Sequence, residues 1–489
     1  MKIGVLTDIH FGSDICDVRR RTIADMLLLR AVHRLNRFIR PDVTLVLGDV
    51  VDRGEASDAS DRRRVLRAFL DNLKSPWMAI PGNHDGDADA FYKDFPRPGE
   101  AVDVAGVRFL PFLDREEPGY NASRTASDIA RFAAARSNFA GPIVALQHCC
   151  LAPPGLSHDP YNYLNAPEII AAMRRHGVML SVSGHNHDGG DPIVDGDVTF
   201  VTAPGLCVSP FRFLLITLEN GRVAIQREDL AMAPSLGLVD WHVHTPLAYC
   251  SENMSMPRAL ELGQAFGLAG IGFSEHSGHL YYDAEKYWNG TCLRKGIQGA
   301  DPKENRTAAF FDIARSAAGP FVKMGLEVDA DFSGQMVLRP EDRRKTDYLI
   351  GAIHDLPGLR DPACPAAKLD EDFLRILDRL LGQGAQILAH PFRLFRRRNR
   401  PVPESLFAPT VALLRRHGTA AEINFHANEP NAAFFRQCIN EGVKLSFGSD
   451  AHNLYEIGDF APHMRLLREA GHAGDPRDVL LTFDGNKQR

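Results

Sequence analysis

The chain opens on Met1-Lys2-Ile3-Gly4-Val5-Leu6-Thr7-Asp8-Ile9-His10. Ile3–Ile9 reads as a buried strand, and an aspartate and a histidine stand where it ends. The same pattern returns along the first half. Val43–Leu47 runs into Gly48-Asp49, and Trp77–Ile80 into Gly82-Asn83-His84-Asp85. Ile143–Gln147 runs into His148, and Leu180–Ser183 into Gly184-His185-Asn186-His187. Ile23, Leu27, Ala31, Leu35 and Phe38 recur at helical spacing between the first two strands. Val107–Leu110 and Val198–Val201 read as further strands, and Phe213–Leu218, Asn220-Gly221 and Val223–Gln226 as a closing hairpin. Strands alternating with helices predict an α/β fold, whose sites form at the carboxyl ends of the strands.

Carboxylate, amide and imidazole donors together suit a pair of borderline divalent cations such as Mn, Fe or Zn. Asp49 is the natural bridge, because a carboxylate has two oxygens. Two metals so bridged hold a hydroxide for in-line attack on phosphorus. His84, beside Asn83, is then free to protonate the leaving oxygen. Taken singly, each histidine reads equally as a core or surface residue. Five blocks in order, each after a strand, do not.

Asp8-x-His10, Gly48-Asp49, Gly82-Asn83-His84-Asp85, His148 and Gly184-His185-x-His187 resemble the calcineurin-like metallophosphoesterase superfamily, over about residues 1–230. The resemblance implies a four-layer αββα sandwich. It also implies one metal on Asp8, His10, Asp49 and His187, and a second on Asp49, Asn83, His148 and His185. The compact domain and Gly-His-Asn-His look like the branch of cyclic-nucleotide and glycerophosphodiester phosphodiesterases. Gly48-Asp49-Val50-Val51-Asp52-Arg53-Gly54 instead resembles the protein phosphatases, in which the arginine contacts phosphate. Arg53 either does so or braces its loop.

Leu230–Gly237 has no periodicity and reads as a short linker. A second series follows, with strands near Leu238–Val243, Gly270–Ser274, Phe321–Glu327, Tyr348–Ile353, Ala385–Ala389, Ala420–Ile423 and Lys444–Gly448. Helical stretches such as Phe373–Leu381 and Thr410–Arg416 separate them, which argues for a barrel of parallel strands. Asp240-Trp241-His242-Val243-His244, Glu275-His276, Glu327, His354, His390, Glu422 and Asp450-Ala451-His452 again follow strands. This order resembles the PHP family (polymerase and histidinol phosphatase) over about 238–480, and implies a distorted (β/α)7 barrel with two or three metals. His242, His244, Glu327 and Asp450 would hold one metal, and Glu327, His354 and His390 another. His276 and His452 would hold the third. Its last ligand is Cys250 or Glu252, with Glu252 favoured, and Asp240 orients a ligand rather than binding metal. Arg393, just after His390, is a candidate phosphate clamp, as are Arg396–Arg400, which read equally as a solvated loop. The aromatic segment His279–Asn305 is a lid or a satellite core.

A chain of 489 residues is too long for one core. Its net charge of -6 supplies no global basic field, so small phosphorylated substrates are favoured over nucleic acid. No stretch reads as a signal peptide or membrane span, and eight scattered cysteines suit a reducing compartment, so a cytoplasmic location is expected. Two hydrolase patterns on one chain predict a phosphodiesterase followed by a phosphomonoesterase. The alternatives are one catalytic half with a regulatory or binding half, and a nuclease acting on nucleic-acid ends.

Overall fold

In the computed structural model, which describes residues 1–13 and 18–482, the opening strand is Lys2–Leu6, ending three residues before its apolar run does. It ends early because Thr7 turns its hydroxyl to Asp8 Oδ2 at 2.6 Å, and Asp8 then takes φ +53°. That is the left-handed region, closed to an extended strand. Lys2–Leu6 pairs in parallel with Val43–Leu47, which pairs in parallel with Trp77–Ile80. On its other side lies Arg212–Glu219, the inner strand of the hairpin with Arg222–Asp229, completing five strands. A six-stranded sheet has Val178–Ser183 and Ile143–Leu146 at its centre, again parallel.

Ile3, Val5, Val43 and Leu45 from one sheet pack with Val144, Leu146, Leu180 and Val182 from the other. Alternate positions on each strand make this core, since side chains on a strand point to opposite faces. The opposite face of the six-stranded sheet is covered by Phe132, from helix Ala126–Arg136, and by Ile169, Ile170 and Met173 from helix Ala166–Arg175. Leu35, just past helix Ala24–Arg34, covers the five-stranded sheet at Gly4. The result is helix, sheet, sheet, helix, within a unit spanning Met1–Leu230.

The second unit, Ala231–Arg489, begins where the sequence suggests a linker, and Pro234–Leu236 forms one 3₁₀ turn there. Its seven strands are all parallel and lie side by side in chain order, from Val239–Val243 to Leu445–Phe447. The ends nearly meet: His244 N donates to Ala451 O at 3.1 Å, and Ala451 N to His242 O at 3.3 Å. Alternation along the first strand puts Asp240, His242 and His244 on one face, with Val239, Trp241 and Val243 on the other. Glu327 lies in register beside His276 on the neighbouring strand.

Candidate metal centres

In the first unit the donor side chains stand just past the strand ends, where the parallel strands of both sheets open toward one cleft. Asp8, His10, Asp49 and His185 all take positive φ, between 50° and 71°. Such backbone is costly for non-glycine residues and clusters where structure is shaped by a site. Gly48, at φ +93°, explains the Gly-Asp pair: a Cβ there would sit 2.6 Å from His148 Nδ1.

Asp49 Oδ2 lies 3.5 Å from His10 Nε2 and 3.4 Å from His148 Nε2, between two groups of donors. On the His10 side, His187 Nε2 is 3.1 Å from His10 Nε2 and 3.3 Å from Asp8 Oδ1. On the other side, His148 Nε2 lies 3.1 Å from Asn83 Oδ1 and 3.2 Å from His185 Nδ1. The tautomers follow from the outer contacts. His148 Nδ1 donates to Leu47 O at 2.7 Å and His185 Nε2 to Tyr120 O at 3.0 Å, so the inward nitrogens are the ones left to offer a lone pair to a metal. His84 Nδ1 donates to Asp52 O at 2.8 Å, its backbone N–H to Asp49 Oδ1, and its ring meets His10 edge-on at 4.7 Å. His84 and Arg53 line a cavity of about 1240 Å³ beside Asp49.

In the second unit the nest is buried except for the partly exposed His354, and centres on Glu327. Its Oε1 lies 2.8 Å from His390 Nε2 and 3.2 Å from His354 Nε2. Its Oε2 lies 2.5 Å from His276 Nδ1, 3.5 Å from His242 Nε2 and 3.7 Å from His244 Nε2. Asp450 Oδ1 joins His242 and His244 at 3.6 and 2.9 Å. His244, His276 and His452 bring their donor atoms within 4.8 Å of one another. The far nitrogens are tethered: His242 Nδ1 to Glu422 Oε1 and His354 Nδ1 to Asp329 Oδ1, both at 2.7 Å, and His244 Nδ1 to Glu275 Oε1 at 3.3 Å. Asp329 carries no metal-site spacing in the sequence. Asp240 accepts from the backbone N–H groups of His242, Ser449 and Gly458, so it shapes the main chain.

Two expectations change, and two open alternatives narrow. The Glu252 side chain is exposed, whereas Cys250 Sγ lies 3.7 Å from His276 Nε2. The cause is a pair of tight turns, Ala248 N to Thr245 O and Ser251 N to Ala248 O, that fold Cys250 inward and carry Glu252 past the site. Arg393 is not open to a phosphate. It is buried, with Nη1 hydrogen-bonded to Asp450 Oδ2, so it braces a candidate ligand. Beyond it, Arg398 pairs with Asp355 and Arg400 donates to Leu359 O and Asp361 O, so those arginines hold the loop. In the aromatic segment Tyr281 and Tyr282 are wholly buried, the first donating to Asp342 Oδ2 at 2.8 Å, as a satellite core requires.

Asp8 Oδ1, His242 Nε2 and His354 Nε2 are buried with no hydrogen-bond partner. Orphans of this kind are costly, and a cation at each nest would satisfy them. Electrostatics agree. Burial opposes charge on His10, but Asp52 and Asp8 outweigh it and raise the imidazole to about 9. His244 is raised to about 9 against burial by Asp450 and Glu275, and His354 to about 9 by Glu327 and Asp329. Asp49 is held well below the carboxylate range, burial being outweighed by His148 and His10. Without metal, protons on His10, His244 and His354 supply part of the positive charge these carboxylates demand; a divalent cation would supply it by displacing them. Both nests therefore fit divalent metals.

No helix among the described residues is long and apolar enough to cross a membrane. Residues 1–189 match the sequence model of the calcineurin-like phosphoesterase family. The chain is 27% identical over 160 residues to a probable phosphatase of Acetivibrio thermocellus, covering 31% of this chain and 61% of that protein. It is 28% identical over 165 residues to the glycerophosphodiester phosphodiesterase GpdQ of Enterobacter lignolyticus, covering 30% and 57%. The chain thus spans about three-fifths of the length of the curated relatives it matches. A solved dimetal phosphatase from Danio rerio aligns at 18% identity and a TM-score of 0.39, over 47% of this chain and 96% of that one. The first unit carries a calcineurin-like metallophosphoesterase domain at residues 1–189.

Proposed function

We propose that this chain is a bifunctional metal-dependent phosphoester hydrolase, in which the first unit opens a small phosphodiester and the second, read as a PHP-type barrel, removes phosphate from the resulting monoester. The observation that carries this reading is the double nest: Asp49 and Glu327 each lie between two groups of imidazole donors. The proposed complement is two divalent metals in the first nest and two or three in the second, drawn from Mn, Fe and Zn. Bound there, such metals supply a water nucleophile at neutral pH and neutralise phosphoryl oxygens.

The chain's own residues do the rest. In the first unit Asp49 holds the two donor groups together and orders the His84 main chain through Oδ1. His84, its Nδ1 tied to Asp52 O, keeps Nε2 for the leaving oxygen. Arg53, at the cavity wall, is the candidate contact for the substrate phosphate. In the second unit Arg393 fixes Asp450, while Glu422, Asp329 and Glu275 fix the imidazoles. The matched phosphodiesterase relative supports a diester for the first unit. The test is a screen of small phosphodiesters and monoesters with the Mn-loaded protein. The reading expects hydrolysis of both classes; activity on diesters alone would remove the second half of it.

A further inference from the structure

The second nest as described holds donors for metal but no group for the leaving alcohol. Three residues past strand Ala420–Ile423, at the same rim, stands His426. Its ring stacks on His452, centroids 4.6 Å apart and 26° between planes. Its place is tied to the nest twice. Its backbone N–H donates to Asn424 Oδ1 at 2.9 Å, and Asn424 Nδ2 donates to Asp450 Oδ2 at 3.3 Å. Its carbonyl accepts from Nη1 of Arg393, the arginine that braces Asp450.

The ring is oriented by a carboxylate. Nδ1 lies 2.9 Å from Glu456 Oε1, while Glu456 Oε2 accepts the backbone N–H groups of His452 and Asn453 at 3.0 and 3.1 Å. An ionised carboxylate can only accept, so Nδ1–H donates to Glu456 and Nε2 is the ring nitrogen left over. Nε2 has no hydrogen-bond partner among the described residues, and the side chain is 21% exposed. A carboxylate holding Nδ1 while Nε2 serves a reacting oxygen is the division of labour in hydrolases that move protons through histidine.

We propose that His426, positioned by Glu456, is the proton donor to the leaving alcohol in the second unit. The proposal rests on the monoesterase reading of that unit. In the step, a water oxygen bonds to phosphorus and the P–O bond to the alcohol breaks. That electron pair stays on the alcohol oxygen, which takes the Nε2 proton, and the imidazole regains a proton from the attacking water.

The test uses the full chain carrying Asp49→Asn, which silences the first unit, loaded with Mn. His426→Gln is assayed on an alkyl phosphate and on p-nitrophenyl phosphate, whose leaving group needs no proton, and manganese per chain is measured. The rate on the alkyl ester should fall about 100-fold and on the aryl ester less than about fivefold, with manganese content unchanged. Retained aryl hydrolysis also reports that the variant is folded. An equal fall on both esters, or loss of a bound ion, would overturn the assignment. If the Asp49→Asn parent hydrolyses neither ester, the monoesterase reading and this inference fall together.

Discussion

The two nests bring similar side chains together by different means. In the first, the imidazoles are held largely by main-chain carbonyls: Leu47 O for His148, Tyr120 O for His185 and Asp52 O for His84. The one side-chain carboxylate there, Asp52, lies 3.3 Å from His10 Nδ1 but is shared with Arg21 at 2.9 Å and Arg19 at 3.3 Å. In the second, the buried carboxylates Glu422, Asp329 and Glu275 stand behind His242, His354 and His244. A carbonyl fixes a tautomer; a carboxylate also adds negative charge and makes the ligand more basic. The first nest is thus an open, less charged site facing a cavity of about 1240 Å³, and the second a more enclosed one whose carboxylates would, on the proposed reading, hold cations more tightly. On the proposed function, the first would take a diester with two substituents and the second a compact monoester.

The comparison breaks most sharply at His84. His84→Ala should lower diester hydrolysis about 100-fold and leave monoester hydrolysis within about twofold, measured on the same preparation. Equal losses on both classes, with the protein folded, would mean the nests are not independent. Next in size is the carboxylate behind His242. Glu422→Gln should weaken metal binding in the second unit about 10- to 100-fold by competitive chelator titration, with the first unit's metals unaffected. If the variant holds metal as the parent does, the contrast between carbonyl and carboxylate tethers carries no energetic weight. The smallest effect concerns the rim. Cys250→Ser should lose at most one ion per chain by elemental analysis and Glu252→Gln none; the reverse would restore the carboxylate as ligand.

Much of this was legible in the sequence, and what was not has definable causes. Asp8, Asp49, His148 and His185 could be read because apolar runs mark the strands, and donors placed after parallel strands share one edge. The polar ribbon of Arg115–Glu117 and Asn121–Ser123 had no such signal, although Tyr120 in its turn supplies the carbonyl that orients His185. Cys250 and Glu252 are two residues apart, and spacing alone does not say which of them a turn will fold inward. Arg393 next to His390 reads as a phosphate clamp until its partner is known, and Asp450 lies 57 residues away in the chain. Glu456 and His426 are 30 residues apart for the same reason: a barrel brings together strand ends that share no local pattern.

The central claim, two sites acting in sequence, is tested most directly by a time course on one small diester with three proteins: wild type, Asp49→Asn and Glu327→Gln. Wild type should release inorganic phosphate. Asp49→Asn should leave the diester intact, and Glu327→Gln should accumulate the monoester, with phosphate release slowed on the order of 100-fold or more. Phosphate released by Glu327→Gln at the wild-type rate, from every diester the protein accepts, would contradict the scheme and leave the two units serving unrelated substrates.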